Sequence, residues 1–301
     1  MTKFILDSGD PQEYQKIAKL AKDHGQELWG GTTNPSLIAK SASRRIAGKK
    51  LTQLEAFELQ KEIIYEIVEI VPGAVSAEVY ADLTTKASEM IEQGREIASW
   101  HKRVVIKLPT TLEGFKARSE LRKENIITNN TLVFSQEQII AICLHEQLVK
   151  QEGLSRRSET KAEEWPPFIS PFVGRLDDIG EDGLSLVEHG MELKKQFTEP
   201  LWMLEASVRT PYHFTQGISL GSELITAPAS LYQLYFSTFQ GKNVEAALNK
   251  PPLVEIDKSI KSISTLDAFI EAIENNQLDI THPLTEKGIL RFTADWQAIL
   301  H

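Results

Sequence analysis

The sequence is poor in cysteine and contains no long hydrophobic run. Its single cysteine, Cys143, cannot form an intramolecular disulfide, and we expect it to pack as a small apolar residue. Every apolar stretch falls short of the roughly 20 residues that a membrane-spanning helix needs. The first residues lead directly into a strand-like segment, without the apolar core and cleavage site of a signal peptide. These absences predict a cytoplasmic protein that has no membrane partner.

Basic residues are also fewer than acidic residues. The chain carries 33 Lys and Arg against 42 Asp and Glu, a formal net charge of -9. Because polyanions are held by basic surfaces, we expect no nucleic-acid partner. The net negative charge is compatible with a small anionic substrate, since one or two local arginines and some backbone amides are enough to bind a phosphate group.

Motifs for metals and nucleotides are missing as well. No cluster of Cys and His has metal-ligand spacing, and no glycine-rich loop of the nucleotide-binding kinds occurs. The sequence therefore predicts neither a metal site nor a cofactor. What remains is an ordinary globular composition, 41% apolar and 25% charged, which predicts a folded core for most of the chain.

Short apolar runs alternate with long amphipathic segments, a pattern typical of a parallel sheet with helical crossovers. The predicted strands are residues 3–6, 28–31, 74–79, 104–108, 126–134, 168–173, 201–206 and 223–226. The predicted helices between them include residues 51–70, 87–101, 115–123, 136–149 and 184–196. Eight such strand and helix pairs favour an α/β fold of the closed (β/α)8 TIM barrel type over an open sheet.

Two regions exceed a minimal barrel, and we predict one domain over residues 1–301 that includes both. Residues 151–167 are polar and end in prolines, which predicts an insertion before the sixth strand. Residues 251–301 contain helical patterns near 266–273 and 285–300, which predict extra helices docked on the outside of the barrel. The sequence leaves open whether copies of the chain contact each other at these helices to form a homo-oligomer.

A lysine stands inside the fourth apolar run. Lys107 lies near the carboxyl end of this run, which Pro109 closes because proline cannot donate to a strand ladder. Burial disfavours the charged form of a lysine, and a neutral amine can attack a carbonyl carbon to form a Schiff base. Two alternatives stay open for this residue on its own: its side chain reaches solvent beyond the strand, or it pairs with a carboxylate.

Polar side chains also follow the first three predicted strands, where a barrel of this kind collects its functional residues. Asp7 closes the first strand, Asn34 follows the second, and Glu78 ends the third, one strand away from Lys107. A carboxylate beside an amine can relay the protons that imine formation requires. Helix caps and turns are the alternative for Asp7 and Asn34, because both residue types satisfy loop amides.

The later strands add a polar wall and two arginines. Asn129 and Thr131 share one face of the fifth strand, which predicts that both face one cavity. Arg175 and Arg209 follow the sixth and seventh strands, each with a serine nearby, and suit the bidentate capture of a phosphate dianion. For a lone arginine, a surface salt bridge is the alternative.

Taken together, these segments resemble the transaldolase family, class I aldolases with a Schiff-base lysine on the fourth strand of a (β/α)8 barrel. The matching segments follow the order of the family and span most of residues 1–230. They are Thr-Thr-Asn-Pro-Ser-Leu at 32–37, Glu-Val at 78–79, Ile-Lys-Leu-Pro at 106–109, Asn-x-Thr-Leu-x-Phe-Ser at 129–135, Ser-Pro-Phe-Val-Gly-Arg at 170–175 and Ala-Ser-x-Arg at 206–209. Six segments in register with predicted strand ends are a specific signal.

The resemblance implies transfer of a dihydroxyacetone unit between sugar phosphates in the non-oxidative pentose phosphate pathway. The donor would be a ketose phosphate such as fructose 6-phosphate or sedoheptulose 7-phosphate, and the acceptor an aldose phosphate. Lys107 would form the imine, and Asp7 would take the proton of the C4 hydroxyl as the C3–C4 bond breaks. Glu78, through a water held by Thr131, would shuttle protons, and neither a metal nor a cofactor would take part.

The resemblance also implies which side chains hold the substrate. Asn34 and Asn129 would hold the hydroxyls of the donor or the enamine, and Ser170 would contact the C1 hydroxyl. The terminal phosphate would lie against three further side chains, namely Arg175, Ser207 and Arg209. Sugar phosphates are therefore the expected partners.

Two positions bear on the type of reaction. At the position of Phe172, the resemblance implies that the related fructose-6-phosphate aldolases have Tyr, whose hydroxyl helps water to release free dihydroxyacetone. A Phe at this position therefore favours transfer. Packing in the core is the alternative explanation for a Phe. Glu205 stands where the family usually has Gly, and on an extended strand it would share a face with Ser207 and Arg209 and pair with an arginine. A bulge would instead turn it outward. Two alternatives therefore stay open: an aldolase that releases free dihydroxyacetone, and a catalytically quiet barrel that binds sugar phosphates.

Overall fold

Eight parallel strands close into a barrel. The computed structural model describes residues 2–46, 48–153, 165–238 and 249–301. The strands pair in chain order, and the first also pairs with the last. They are β1 Lys3–Asp7, β2 Leu28–Thr32, β3 Val75–Glu78, β4 Val104–Pro109, β5 Thr128–Val133, β6 Phe168–Pro171, β7 Trp202–Glu205 and β8 Leu224–Ala227. Each predicted run overlaps one of these strands, so the predicted (β/α)8 barrel is confirmed.

Helices lie between consecutive strands and cover the outside of the barrel, and further helices follow the last strand. They are α1 Pro11–Asp23, α2 Pro35–Arg45, α3 Gln53–Val68, α4 Ala87–Trp100, α5 Leu112–Lys123, α6 Gln136–Gln151, α7 Val173–Asp177, α8 Gly183–Leu193, α9 Pro211–Leu220, α10 Ala229–Thr238, α11 Lys258–Lys261, α12 Leu266–Glu274 and α13 Pro283–Gln297. Within the described ranges, every helix is too short or too polar to span a bilayer.

Side-chain caps link the strand ends to the helices that follow. Asn34, Thr111 and Ser135 each accept a hydrogen bond from a backbone amide in the first turn of α2, α5 and α6. Such a cap stabilises a helix by about 1 kcal/mol. Each of these three residues stands two positions after a strand, so the turn at the carboxyl end of the barrel is short and well defined.

The strands are buried on both faces, as expected when helices cover one face and the barrel interior the other. Every residue of β3, β4 and β5 is buried. Two ionisable side chains lie within these strands, since Lys107 is 3% exposed and Glu78 is 4% exposed. Isolated charges are costly in such surroundings, so these two groups require partners.

The predicted extra C-terminal helices are present as α12 and α13, and the short helix α11 precedes them. Helix α13 is not confined to the outside of the barrel, as the sequence had suggested. The Thr285 hydroxyl donates to the Leu132 carbonyl at the end of β5, 2.9 Å away, and Asp295 accepts a hydrogen bond from Ser36. The apolar face of α13 therefore packs over the carboxyl ends of the strands.

Most of the predicted insertion at 151–167 lies outside the described residues, which omit 154–164. At its carboxyl side, Trp165 packs edge-on against Trp29 of β2, with ring centres 5.2 Å apart. That the barrel and its additions form one domain stays a prediction.

Candidate active site

A cavity of about 210 Å³ opens at the carboxyl ends of the strands. This is the end at which barrels of this type carry their functional loops. The predicted site residues that line it are Asp7, Asn34, Lys107, Ser170, Phe172, Arg175, Ser207 and Arg209. The other three, Glu78, Asn129 and Thr131, are buried in the neighbouring strands β3 and β5.

Strand register places three polar side chains in one row. Glu78 pairs with Lys107 across β3 and β4, and Lys107 pairs with Asn129 across β4 and β5. Residues paired in this way point to the same face of a sheet. The Glu78 carboxylate lies 2.9 Å from Nζ of Lys107, which also donates to the Thr33 carbonyl at 3.1 Å. Lys107 is therefore both buried and paired with a carboxylate, and that carboxylate is the predicted proton relay.

The environment of Glu78 suits proton transfer. Burial raises the pKa of the Glu78 carboxyl, and the charge of Lys107 opposes part of that rise. A carboxyl with a raised pKa takes up and returns protons more readily near neutral pH. Among the described residues, Oε2 of Glu78 has no partner other than Nζ of Lys107, and Oγ1 of Thr131 is buried without a hydrogen-bond partner. Because buried polar atoms are normally satisfied, Oγ1 of Thr131 is suited to bind a water molecule or a reacting group.

Asp7 is held by a pair of threonines. Its Oδ1 accepts from the Thr32 hydroxyl at 2.8 Å, and that hydroxyl lies 2.6 Å from the Thr226 hydroxyl. Burial raises the pKa of Asp7, while Lys107, Thr32 and Arg175 oppose that rise. The carboxylate of Asp7 is thus oriented by Thr32 and lies within the electrostatic reach of Lys107, which suits it to act as a base on a substrate attached to the lysine.

Asn34 and Ser170 form part of the polar wall of the cavity, and Asn129 is hydrogen-bonded to Ser170. Asn34 caps α2, because its Oδ1 accepts from the Leu37 amide at 3.0 Å, and its Nδ2 is left to donate to a substrate hydroxyl. Ser170 donates to Oδ1 of Asn129 at 2.7 Å, and Nδ2 of Asn129 donates to Ser76 at 3.1 Å. The cap interpretation of Asn34 is therefore correct, and the same residue also lines the cavity.

Arginines converge on the mouth of the cavity from three elements. Arg175 belongs to α7, Arg209 follows β7, and Arg291 belongs to α13. Burial, together with the charges of Arg291 and Arg209, lowers the pKa of Arg175. Arg209 also pairs with Asp178, as the surface salt-bridge alternative predicted. Like charges gathered in one mouth repel each other, and a bound dianion relieves that repulsion.

Helix α13 approaches Arg175 at a glycine. A Cβ atom at Gly288 would lie 2.8 Å from Nη1 of Arg175 and 2.6 Å from Cδ2 of Leu132, so a larger residue would displace one of them. The guanidinium of Arg175 lies 5.2 Å and 5.4 Å from the ring centres of Phe172 and Phe292. These aromatic contacts hold the guanidinium at the mouth of the cavity.

Eight residues that line the cavity were not predicted as site residues, namely Thr32, Ser36, Leu37, Leu204, Ala206, Thr226, Arg291 and Phe292. Thr32 and Thr226 stand at the carboxyl ends of β2 and β8, so the rule that identified Asp7 and Asn34 would also have found them. Arg291 and Phe292 belong to α13, which was expected on the outside of the barrel. The amphipathic pattern of α13 does not indicate which part of the barrel it covers.

Glu205 does not face the phosphate site, so its expected pairing with an arginine is wrong. Its neighbours Leu204 and Ala206 line the cavity, which by alternation turns Glu205 toward the helices. A Cβ atom at Gly217 of α9 would lie only 1.7 Å from Oε2 of Glu205. Ser207 has a φ of 58°, so the extended strand ends before it and the two residues do not share a face.

We expect Glu205→Met to raise the free energy of unfolding at pH 7. Glu205 is 0% exposed, and neither of its oxygens has a partner among the described residues, a situation that costs about 1–3 kcal/mol. Burial, and to a smaller extent Asp177, raises the pKa of Glu205 well above the ordinary value of 4.5. Above pH 4.5 the unfolded chain loses this proton while the folded chain keeps it, so the stability of the wild-type protein falls as pH rises.

Urea unfolding at pH 4 and pH 8 measures this difference. The gain from Glu205→Met should be larger at pH 8, whereas Glu58→Met, at an exposed position of α3, should show no pH-dependent gain. An equal gain from Glu205→Met at both pH values would contradict the assignment of a buried neutral carboxyl.

Comparison with known proteins identifies relatives over almost the whole chain. Residues 4–301 match the family described as Transaldolase/Fructose-6-phosphate aldolase. A probable transaldolase of Brachyspira hyodysenteriae is 38% identical over 99% of this chain and 98% of its own length. A probable transaldolase of Brevibacillus brevis is 32% identical over 99% of both chains. A third, from Clostridium botulinum, is 37% identical over 75% of this chain and 85% of its own length.

Proposed function

Because the chain belongs to the transaldolase/fructose-6-phosphate aldolase family, we propose that it is a transaldolase that acts on sugar phosphates. It moves a dihydroxyacetone unit from a ketose phosphate to an aldose phosphate through a Schiff base on Lys107. The observation that carries this proposal is the buried contact of 2.9 Å between Lys107 and Glu78, beside a cavity that Asp7 also lines. Its place would be the non-oxidative pentose phosphate pathway of the cytoplasm.

Imine formation uses Lys107 and Glu78. Nζ of Lys107 attacks C2 of the ketose as a neutral amine, after Glu78 has taken its proton directly or through a water bound at Thr131. Glu78 then returns a proton to the C2 hydroxyl, which leaves as water while the carbon–nitrogen double bond forms. Because burial raises the pKa of Glu78, its carboxylate takes up the proton of Lys107 more readily than an exposed carboxylate would.

Carbon–carbon cleavage uses Asp7. Its carboxylate takes the proton of the C4 hydroxyl, the C3–C4 bond breaks, and the bonding electrons flow into the iminium to give an enamine on Lys107. The aldose phosphate leaves, an acceptor aldose phosphate takes its place, and the enamine attacks the carbonyl carbon of the acceptor. Asp7 returns its proton to the new hydroxyl, and water then hydrolyses the imine to release the product ketose.

The arginines at the mouth bind the terminal phosphate. Arg175 and Arg209, which line the cavity, would donate to its oxygens together with Ser207, and Arg291 would add a further cation on the side of α13. A phosphate anchored at the mouth places the carbonyl carbon of the sugar against Lys107 without a further loss of orientational entropy. Asn34, Asn129 and Ser170 would hold the hydroxyl groups between these two ends.

The proposal is tested by the acceptor dependence of turnover. With fructose 6-phosphate alone, we expect at most one equivalent of glyceraldehyde 3-phosphate per active site. Addition of erythrose 4-phosphate should start continuous formation of sedoheptulose 7-phosphate. Steady release of free dihydroxyacetone without an acceptor would favour the aldolase alternative, and binding without turnover would favour a quiet barrel.

We expect Phe172→Tyr to shift the enzyme toward release of free dihydroxyacetone. Phe172 lines the cavity, so a hydroxyl on its ring can help a water molecule to protonate the enamine. General acid catalysis of this kind supports an increase of about tenfold or more in acceptor-independent release, with a matching loss of transfer. The control is Phe134→Tyr, since Phe134 packs on Phe172 at 5.5 Å between ring centres. Equal behaviour of the two variants would contradict a role for position 172.

A further inference from the structure

A second cavity, of about 380 Å³, lies beside Glu78. Glu78 lines this second cavity, whereas Lys107 lines the substrate cavity. The contact of 2.9 Å between the two side chains therefore joins one residue from each cavity. The residue that carries the proton relay therefore borders a different cavity from the one that the nucleophile lines.

The second cavity leads from the protein surface to Glu78. Leu54 at its rim is 70% exposed, while Glu78 at its inner end is 4% exposed. Gln53, Gln60 and Gln93 also line this cavity, and Gln60 donates to the main-chain carbonyl of Glu78 at 3.1 Å. A water molecule in a protein needs enough room and two to four polar partners, and this cavity offers both.

The proposed reaction requires water to move while the sugar is bound. Formation of the imine expels one water from C2, and hydrolysis of the imine consumes one. In the proposed reaction the sugar occupies the substrate cavity of about 210 Å³, with its phosphate among the arginines of the mouth, so the bound sugar lies between the mouth and Lys107. Water could therefore pass through the substrate cavity only after the sugar has left. The sugar, however, cannot leave before water has hydrolysed the imine.

We propose that the second cavity is the water inlet of Glu78, through which water enters and leaves while a sugar phosphate occupies the substrate cavity. The inference rests on the proposed function. During imine formation, the C2 hydroxyl takes a proton from Glu78 and leaves as water through this inlet. During hydrolysis, a water from the inlet gives a proton to Glu78 and adds its oxygen to C2, and Glu78 then returns that proton to Nζ of Lys107. The C2–N bond breaks as the proton of the C2 hydroxyl passes to Nζ through Glu78, which restores the ketone and the ammonium group of Lys107.

The inlet can be blocked by chemical modification after the protein has folded. Leu54→Cys places a thiol at the exposed rim, and reaction with N-phenylmaleimide adds a bulky group there. The native Cys143 is 0% exposed and burial raises its pKa to about 12, so it does not compete for the reagent. Tyr65→Cys is the matched control, because Tyr65 lies on the same helix α3, is 42% exposed and is not among the residues that line either cavity.

Two measurements on each labelled and unlabelled protein separate water access from chemistry. The first is the rate at which ¹⁸O from labelled water enters C2 of fructose 6-phosphate, with glyceraldehyde 3-phosphate present so that cleavage is reversed. The second is the amount of imine trapped by borohydride at equilibrium. Blocking at position 54 should lower the enzyme-catalysed ¹⁸O incorporation at least fivefold and leave the amount of trapped imine unchanged. Labelling at position 65 should change neither.

Each other outcome overturns the inference. Unchanged ¹⁸O incorporation after labelling at position 54 would show that water enters elsewhere, and an equal loss at position 65 would show a general effect of the label. A parallel loss of trapped imine would indicate a distorted site rather than a blocked inlet. If the unmodified protein traps no imine, the proposed function itself fails, so the two failures are distinguishable.

Discussion

We expect Lys107→Met to lower dihydroxyacetone transfer by about four orders of magnitude or more, because the nucleophile of a covalent mechanism is lost. No other described lysine lines the cavity, so no second amine is placed to replace it. The measurement is formation of sedoheptulose 7-phosphate from fructose 6-phosphate and erythrose 4-phosphate. A variant that kept a tenth of the wild-type rate would contradict the assignment of Lys107.

Loss of activity in this variant must not result from unfolding. Met follows the same buried path as Lys107 and removes the desolvation of an ammonium group. Glu78 loses the cation that opposes the rise of its pKa, so we expect it to take up a proton and stay buried as a neutral acid. Circular dichroism and urea unfolding should show a folded protein, and Lys116→Met, at a partly exposed lysine paired with Glu274, should keep full activity.

We expect Asp7→Asn to stop the reaction after imine formation. Asn keeps an oxygen that can accept from Thr32, so the geometry of the site persists, but an amide cannot take the proton of the C4 hydroxyl. Loss of a general base costs about two to four orders of magnitude in the cleavage step. Borohydride should therefore trap the whole six-carbon sugar phosphate on the variant, and a three-carbon adduct on the wild-type protein.

The neighbouring aspartate provides the control for this variant. Asp10 caps α1 by accepting from the Gln12 amide at 3.0 Å and does not line the cavity, so Asp10→Asn should retain cleavage. A three-carbon adduct on Asp7→Asn at the wild-type rate would show that another group takes the proton. The two variants together test the role of a base at the end of β1 rather than the effect of lost negative charge.

The sequence was sufficient to predict the barrel and the centre of the site, because both depend on local patterns. The apolar runs that form β3 and β4 end in Glu78 and Lys107, and neighbouring parallel strands bring their carboxyl ends together. The same reasoning placed Asp7 and Asn34 at the cavity. The roles of all these residues in catalysis stay proposals until they are tested by mutation.

The remaining features depend on backbone conformation and on packing between distant segments. The left-handed conformation of Ser207 breaks the alternation after Ala206, so that Ser207 lines the cavity although Glu205 faces the helices, and no local sequence pattern signals this break. Arg291 reaches the cavity only because α13 crosses the mouth, where Gly288 allows close contact with Arg175. The second cavity beside Glu78 is bounded by segments far apart in sequence, such as Pro35, Leu54 and Trp296, so no local pattern predicts it.

The most direct test of the central claim is borohydride reduction of the wild-type protein in the presence of fructose 6-phosphate, followed by mass analysis of its peptides. The account predicts a reduced three-carbon adduct on Lys107, whose Nζ lies 2.9 Å from Glu78 in the folded protein. Absence of any adduct, or an adduct confined to a different lysine, would contradict it.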